Sequence, residues 1–215
     1  MNTSIVSFDE IKDTPNRVGW IVPKEYIVVD IDNKTNARIV FDILQALKIK
    51  FSFMMGRKGG HFIFKNDRKI NSISAGQACS LGIIVDIRCN EKGYIVLPEN
   101  DTDRKWGKVT SDISDIPFFL APLKDLKIQS EFVGMDEGDG RNDALLRHML
   151  SLIDYAKELS LGEKCESIRL INSYLFKKPM PDVELQKTVL REDILKKQET
   201  SDDEKGCYEE KLASR

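Results

Sequence analysis

The stretch Tyr26-Ile27-Val28-Val29-Asp30-Ile31-Asp32 decides how the first half of the chain is read. Its β-branched run predicts a strand, and a strand alternates faces. Ile27, Val29 and Ile31 then share one face and anchor a core. Val28, Asp30 and Asp32 share the other. Two carboxylates side by side on a stiff strand repel each other unless a cation sits between them or a proton is shared. The simplest tenant is a hard divalent ion, Mg2+ or Mn2+, which prefers oxygen ligands.

Working outward, the pattern alternates strands and a helix. Gly19-Trp20-Ile21-Val22-Pro23 leads into the aspartate strand. Asn33 to Ala37 starts a helix that continues to about Lys48, with Ile39, Ile43 and Leu47 at four-residue spacing. Phe51 to Met55 reads as a short strand, Gly56 to Gly60 as a turn, and His61 to Lys65 as the returning strand. Ser74 to Leu81 is expected as a short helix and Gly82 to Arg88 as a strand. Asn90-Glu91-Lys92-Gly93 has the composition of a hairpin turn, with Tyr94 to Pro98 as the partner strand. Hairpins mixed with a helix point to an α+β fold.

The character changes after Pro122. Lys124 to Gly140 is polar and glycine-containing and reads as a linker. Asn142 or Asp143 can cap a helix with Leu145, Met149, Leu152, Ile153 and Ala156 as its apolar stripe, ended by Gly162. Cys165 to Phe176 is expected as a second helix, stopped by Pro179 and Pro181. Asp182 can cap a third, through Leu185, Val189 and Ile194. Three short helices suggest a small bundle. The expected organisation is a domain over residues 1–123, a linker over 124–139, a helical domain over 140–199, and a charged, disordered tail over 200–215.

The formal net charge of −2 is unlike that of a strongly basic nucleic-acid binder, although local patches matter more than the sum. Cys79, Cys89, Cys165 and Cys207 form no C-x-x-C pair, and His61 and His148 are the only histidines, so free thiols are expected and a structural zinc site is not. With no signal-peptide pattern and no apolar run long enough for a bilayer, the expectation is a cytoplasmic protein without a membrane partner.

Three segments carry polar residues that a strand pattern does not need: Asp30-Ile31-Asp32, Gly56-Arg57-Lys58-Gly59-Gly60-His61, and Val85-Asp86-Ile87-Arg88. If their strands are neighbours, Asp30, Asp32 and Asp86 converge, and three carboxylates can hold two divalent ions for an in-line phosphoryl displacement. The glycines let backbone N–H groups approach a phosphate. Lys58, His61 and Arg88 supply charge and hydrogen bonds to a triphosphate. Each segment also has a plain reading: a solvated D-x-D, an ordinary turn, a satisfied histidine, and a same-face Asp86–Arg88 ion pair of little energetic weight. His148 reads as structural or surface. Trp106 and Tyr94 suit either base stacking or core packing. Lys177 and Lys178 suit either a phosphate backbone or an ordinary solvated helix end.

In this order the segments resemble the motifs of the archaeo-eukaryotic primase superfamily, in its bifunctional primase-polymerase branch from phages, plasmids and mobile elements. That pattern is a strand ending in D-x-D or D-x-E, then a small residue and a histidine, then a hydrophobic residue and an aspartate. The chain offers Val29-Asp30-Ile31-Asp32, Gly59-Gly60-His61 and Val85-Asp86, and Gly93 to Pro98 is similar to the hairpin that follows. Gly140-Arg141-Asn142-Asp143-Ala144-Leu145-Leu146 resembles the opening of the helical primase C-terminal domain, with a glycine spacing one residue short. Asn172, the Lys177-Lys178-Pro179-Met180-Pro181 segment and Glu184-Leu185 resemble its end.

The resemblance implies a mixed-sheet, RRM-like primase-polymerase domain followed by a small all-α bundle. It implies Asp30, Asp32 and Asp86 as catalytic ligands of Mg2+ or Mn2+, with His61 on the phosphates of the incoming nucleotide. Arg57, Lys58, Gly60 and Arg88 would join the nucleotide pocket. The implied activity is template-directed nucleotidyl transfer: primer synthesis from nucleoside triphosphates on single-stranded DNA, with extension, for replication of a phage or mobile element. No Walker A segment is present, so a separate replicative helicase is the further partner class. The competing classes are a non-catalytic RRM-like nucleic-acid-binding module and a helicase-recruiting subunit of a replication complex.

Overall fold

The computed structural model describes residues 19–98, 103–128 and 131–196. The charged tail from Thr200 and Cys207 lie outside the described residues. Among these residues the elements are β1 (Gly19–Ile21), β2 (Tyr26–Ile31), α1 (Lys34–Ala46), β3 (Ser52–Met55), β4 (Gly60–Lys65), β5 (Ser74–Ala78), β6 (Ile84–Cys89), β7 (Tyr94–Val96) and β8 (Lys105–Lys108). A 3-10 turn (Phe118–Leu120), α2 (Arg141–Tyr155), α3 (Leu161–Leu170), a π turn (Ile171–Leu175) and α4 (Asp182–Thr188) follow. The fold is α+β, with a mostly antiparallel six-stranded sheet in the order β5-β6-β2-β4-β3-β8.

Two compact units divide the chain. Among the described residues, the first combines residues 19–76 with Ile84–Pro117, and the second combines Gln77–Ile83 with residues 118–196. The segment between β5 and β6 therefore belongs to the helical unit, not to the sheet unit that flanks it in sequence.

In the first unit β2 is central, because its alternation gives both faces something to do. Ile27, Val29 and Ile31 are fully buried on one face. That face continues across β4 and β3 through the cross-strand row Val29–Phe62–Phe53, and Phe41 of α1 packs on it with its ring centroid 5.2 Å from that of Phe53. Asn33 caps α1 by accepting from the Asn36 N–H. The helix buries Ala37, Val40, Ile43 and Leu44. Of the expected stripe, Ile43 is in the core, whereas Leu47 is the C-cap and is exposed.

On the opposite face, Val28, Ile63 and Met54 form a buried cluster with Val22 and Ile95. Ile95 belongs to a separate two-stranded sheet in which β1 pairs with β7, and Val22 directly follows β1. This corrects the expectation that Tyr94 to Pro98 would pair back on β6. The reversal is real, with Asn90 and Glu91 both at positive φ. However, the Glu91 N–H donates to the Val22 carbonyl and the Val22 N–H to the Gly93 carbonyl, which draws the outgoing chain to β1.

The expected helix over Ser74 to Leu81 is instead β5 and a turn. Gly76 sits at φ +65, outside helical geometry, and its N–H is spent on Asp86 rather than on a preceding turn. β8 had no counterpart in the sequence reading.

In the second unit, α2 buries the expected Leu145, Met149, Leu152 and Ile153. Its N-cap is Gly140, with no side-chain cap from Asn142 or Asp143. Gly162 does not end it: α2 stops at Tyr155, and Gly162 lies inside α3, which starts from a Ser160–Glu163 capping box. The N-cap of α4 is Pro181, so Asp182 is its first residue. The expected linker is packed, with Leu126 and Phe132 buried and the Phe132 ring edge-on to His148.

Candidate functional site

Antiparallel pairing brings the three chemistry-bearing segments together. β2 lies between β4 and β6, and Asp30 is the direct cross-strand partner of His61 on one side and of Asp86 on the other. Direct partners share a face, so Asp86, Asp30 and His61 form one row on the sheet surface opposite α1. His61 Nε2 lies 3.0 Å from Asp30 Oδ2, an ion pair whenever the ring is protonated. Both side chains are about five-sixths buried, so water screens the pair only in part.

Asp30, Asp32, Arg57, Lys58, Gly60 and His61 line one open cleft of about 430 Å³, together with Gly56, Gly59, Asp103 and Arg104. The cleft has a polarity. Carboxylates stand at the C-terminal end of β2, and cations stand on the turn between β3 and β4. A bare anion would meet Asp30 and Asp32, and a bare cation would meet Arg57 and Lys58. A polyphosphate that carries its own divalent ion complements both ends.

Asp86 and Arg88 stand apart from this cleft although Asp86 is in register with Asp30. Asp86 accepts from the Gly76 N–H at 2.7 Å and from Arg88 Nη2 at 3.1 Å. Arg88 Nη1 donates to the carbonyls of Ser74 and Ile87. The same-face ion pair anticipated from the sequence is thus formed. Among the described residues, no group of three or more His, Cys, Asp or Glu side chains is gathered closely enough to hold a metal ion. By donor type, Asp30 and Asp32 are the oxygen ligands that the cleft itself presents to a hard cation.

Asp103 and Arg104 were missed by sequence reasoning. They follow Pro98 in a polar stretch with no alternation to place it, and their position comes from tertiary contacts such as Arg104 Nη1 donating to the Val96 carbonyl. Tyr94 and Trp106 are both exposed rather than packed in the core.

The motif residues of the helical unit are engaged in holding its own backbone. Arg141 is buried, donates to the Lys178 carbonyl and lies over the Phe176 ring. Asn172 accepts from the Met180 N–H and donates to the Met180 carbonyl. Asn142 donates to Glu184. Lys177 and Lys178 pair with Asp136 and Glu137, so they do not form a bare basic spot. His148 is buried, with Nε2 bonded to the Ser80 carbonyl, and burial drives its pKa down to about 4, so it is a neutral structural group. Cys79, Cys89 and Cys165 are free and buried, and no described helix is long and apolar enough to cross a membrane.

The chain matches no family model, no curated protein and no solved structure.

Proposed function

We propose that the chain is a primase-polymerase, a nucleotidyltransferase that builds primers on single-stranded DNA and extends them. The observation that carries this reading is Asp30, flanked in register by His61 and Asp86 and facing a glycine turn that bears Arg57 and Lys58. The residues that supported the family resemblance thus come from three separated segments and lie on adjacent strands.

In this reading Arg57, Lys58 and Arg104 hold the triphosphate, and backbone N–H groups of the turn approach it where side chains would be in the way. Asp30 holds the His61 ring through Nε2, which leaves Nδ1 as the nitrogen that meets a phosphate oxygen. A 3′-hydroxyl attacks the α-phosphorus, the bond to the bridging oxygen breaks and pyrophosphate leaves. Asp30 and Asp32 would hold Mg2+ or Mn2+, which when bound neutralises charge on the triphosphate and the attacking oxygen; Asp86 would join them only on giving up its bonds to Gly76 and Arg88. Positioning and charge neutralisation supply most of the acceleration. The RRM-like sheet, the small helical bundle serving initiation, a cytoplasmic setting and a separate helicase partner belong to the same proposal.

One observation favours a second reading. Asp86 is already satisfied by Gly76 and Arg88, as expected of a sheet that binds nucleotides or nucleic acid without turnover. Incubation with single-stranded DNA, ribo- or deoxynucleotides and Mg2+ or Mn2+ separates the two. A primase-polymerase makes primers, and Asp30→Ala or His61→Ala lowers the rate by about a hundredfold or more. Nucleotide binding without synthesis or primer extension establishes the non-catalytic reading. Full activity in Asp30→Ala overturns the site.

A further inference from the structure

Trp106 stands in the same cross-strand row as the residues of the cleft. Trp106 pairs with Met54, Met54 with His61, His61 with Asp30, and Asp30 with Asp86, on five adjacent strands. A bulge puts it there. Lys108 pairs with Phe53 and Trp106 with Met54, so Gly107 is the extra residue on β8. Under unbroken alternation Trp106 would fall opposite Met55, on the face that carries Phe53 and Phe62. Glycine is needed at the bulge, because a Cβ on residue 107 would lie 2.8 Å from the Phe53 ring. Trp106 is 37% exposed, although its neighbour Met54 in the row is fully buried. β8 also follows directly on Asp103 and Arg104, which line the cleft.

We propose that Trp106 stacks on the base of the nucleotide whose phosphates sit at Arg57 and Lys58. This rests on reading the Asp30–His61 cleft as a nucleotide site. Two strand spacings, about 10 Å, separate Trp106 from His61; Met54 between them is covered, so a nucleotide with its phosphates in the cleft reaches the indole past Asp103 and Arg104, which line the cleft just ahead of β8. Every base has a π face, so stacking grips without choosing. A site whose base is dictated by a template needs that property. Lys105 is exposed and Lys108 half-buried on the same strand, and they keep this edge cationic.

The test uses the full chain carrying Trp20→Phe, which leaves Trp106 as the only tryptophan. ATP, inorganic triphosphate and oligothymidylate are titrated separately while indole fluorescence is followed. ATP is expected to quench Trp106, and inorganic triphosphate is expected to bind without quenching. In the chain with native Trp20, Trp106→Ala weakens ATP roughly tenfold, the loss of one base–aromatic stack. The same variant leaves inorganic triphosphate affinity unchanged, which also shows an intact cleft, and Trp106→Phe retains most of the ATP affinity. Equal ATP affinity in wild type and Trp106→Ala overturns the inference while the nucleotide cleft stands. Quenching by oligothymidylate alone overturns it in favour of a template contact. Failure of both ATP and inorganic triphosphate to bind overturns the cleft itself.

Discussion

A Cβ placed on Gly59 would lie 1.7 Å from the carbonyl oxygen of Ile31. The turn that carries Arg57 and Lys58 is therefore pressed onto the end of β2, which carries Asp30 and leads directly into Asp32. The spacing between the cationic and the anionic sides of the cleft is set by the absence of one methyl group. Gly60 is equally confined, with a Cβ 2.3 Å from the Phe53 ring. Glycines that suggested room for a phosphate are first of all a packing requirement, and the two roles coincide because the same contact closes the cleft.

Gly59→Ala is expected to push the turn off β2, because the clash is with backbone and cannot be relieved by a rotamer. Overpacking of this kind costs about 3 kcal/mol and is expected to weaken inorganic triphosphate binding. Gly56→Ala is the control on the same turn, since its Cβ would meet only the Gly59 carbonyl oxygen at 3.8 Å. It is expected to change stability by less than about 0.5 kcal/mol. Urea unfolding and calorimetric binding of triphosphate check both, and equal behaviour of the two variants would remove the close-approach argument.

Arg88→Gln separates two roles for the Asp86–Arg88 pair. Arg88 is tied to Asp86 and to the carbonyls of Ser74 and Ile87 and does not line the cleft. Its loss is expected to leave nucleotide affinity within about twofold. Freeing one oxygen of Asp86 is expected to lower the Mn2+ concentration needed for half-maximal activity. A large loss of nucleotide affinity with an unchanged metal requirement would instead make Arg88 a phosphate ligand.

The sequence made the sheet unit legible where alternation is strict. β2 and β6 bury Val29 and Ile87 on one face and set Asp30 and Asp86 on the other, as a period of two requires. Strand order was out of reach locally, because whether Asp86 meets Asp30 depends on β6 choosing β2 over β7. β8 was invisible for a related reason: Lys105-Trp106-Gly107-Lys108 has no apolar alternation, and its strand character comes from pairing with β3 across a bulge. The helical unit shows the opposite failure. Its apolar stripe was plain, but Phe132 fell in an expected linker and Gln77–Ile83 in an expected helix and strand of the first domain, whereas both belong to the helical unit and contribute buried side chains.

His148 gives the helical unit a pH signature. Its pKa falls from 6.5 to about 4, chiefly through burial, against a partly opposing hydrogen bond to the Ser80 carbonyl. Its Nε2 bonds to that carbonyl and its ring packs edge-on against Phe132. The folded state keeps the ring neutral while the unfolded state takes a proton below 6.5. The contribution of His148 to stability is thus fully present above pH 6.5 and is lost as the pH falls towards 4. By pH 5 the loss is about 2 kcal/mol. Urea unfolding followed by far-ultraviolet circular dichroism at pH 7 and pH 5 measures it. His148→Gln should flatten the dependence, and an unchanged slope in that variant would assign the effect elsewhere.

Asn172 is the most exacting side chain of the helical unit. It satisfies both the N–H and the carbonyl of Met180, at 2.8 and 3.0 Å, from a nearly fully buried position. Asn172→Ala leaves both backbone groups unpaired in the interior and is expected to cost about 3 kcal/mol. Asn172→Asp keeps the acceptor for the Met180 N–H but sets a buried carboxylate against a carbonyl, so it should be no milder. Arg141→Lys loses the planar fork that reaches the Lys178 carbonyl and lies over Phe176, and is expected to destabilise in the same way. If the helical unit serves initiation, these variants lower primer initiation more than extension of a supplied primer. Cutting the chain at Gly140 is a poorer test, because it strips His148 and Ser167 from Ser80 and exposes that core. Equal loss of initiation and extension in Asn172→Ala, with inorganic triphosphate affinity intact, would refute the division of labour between the two units.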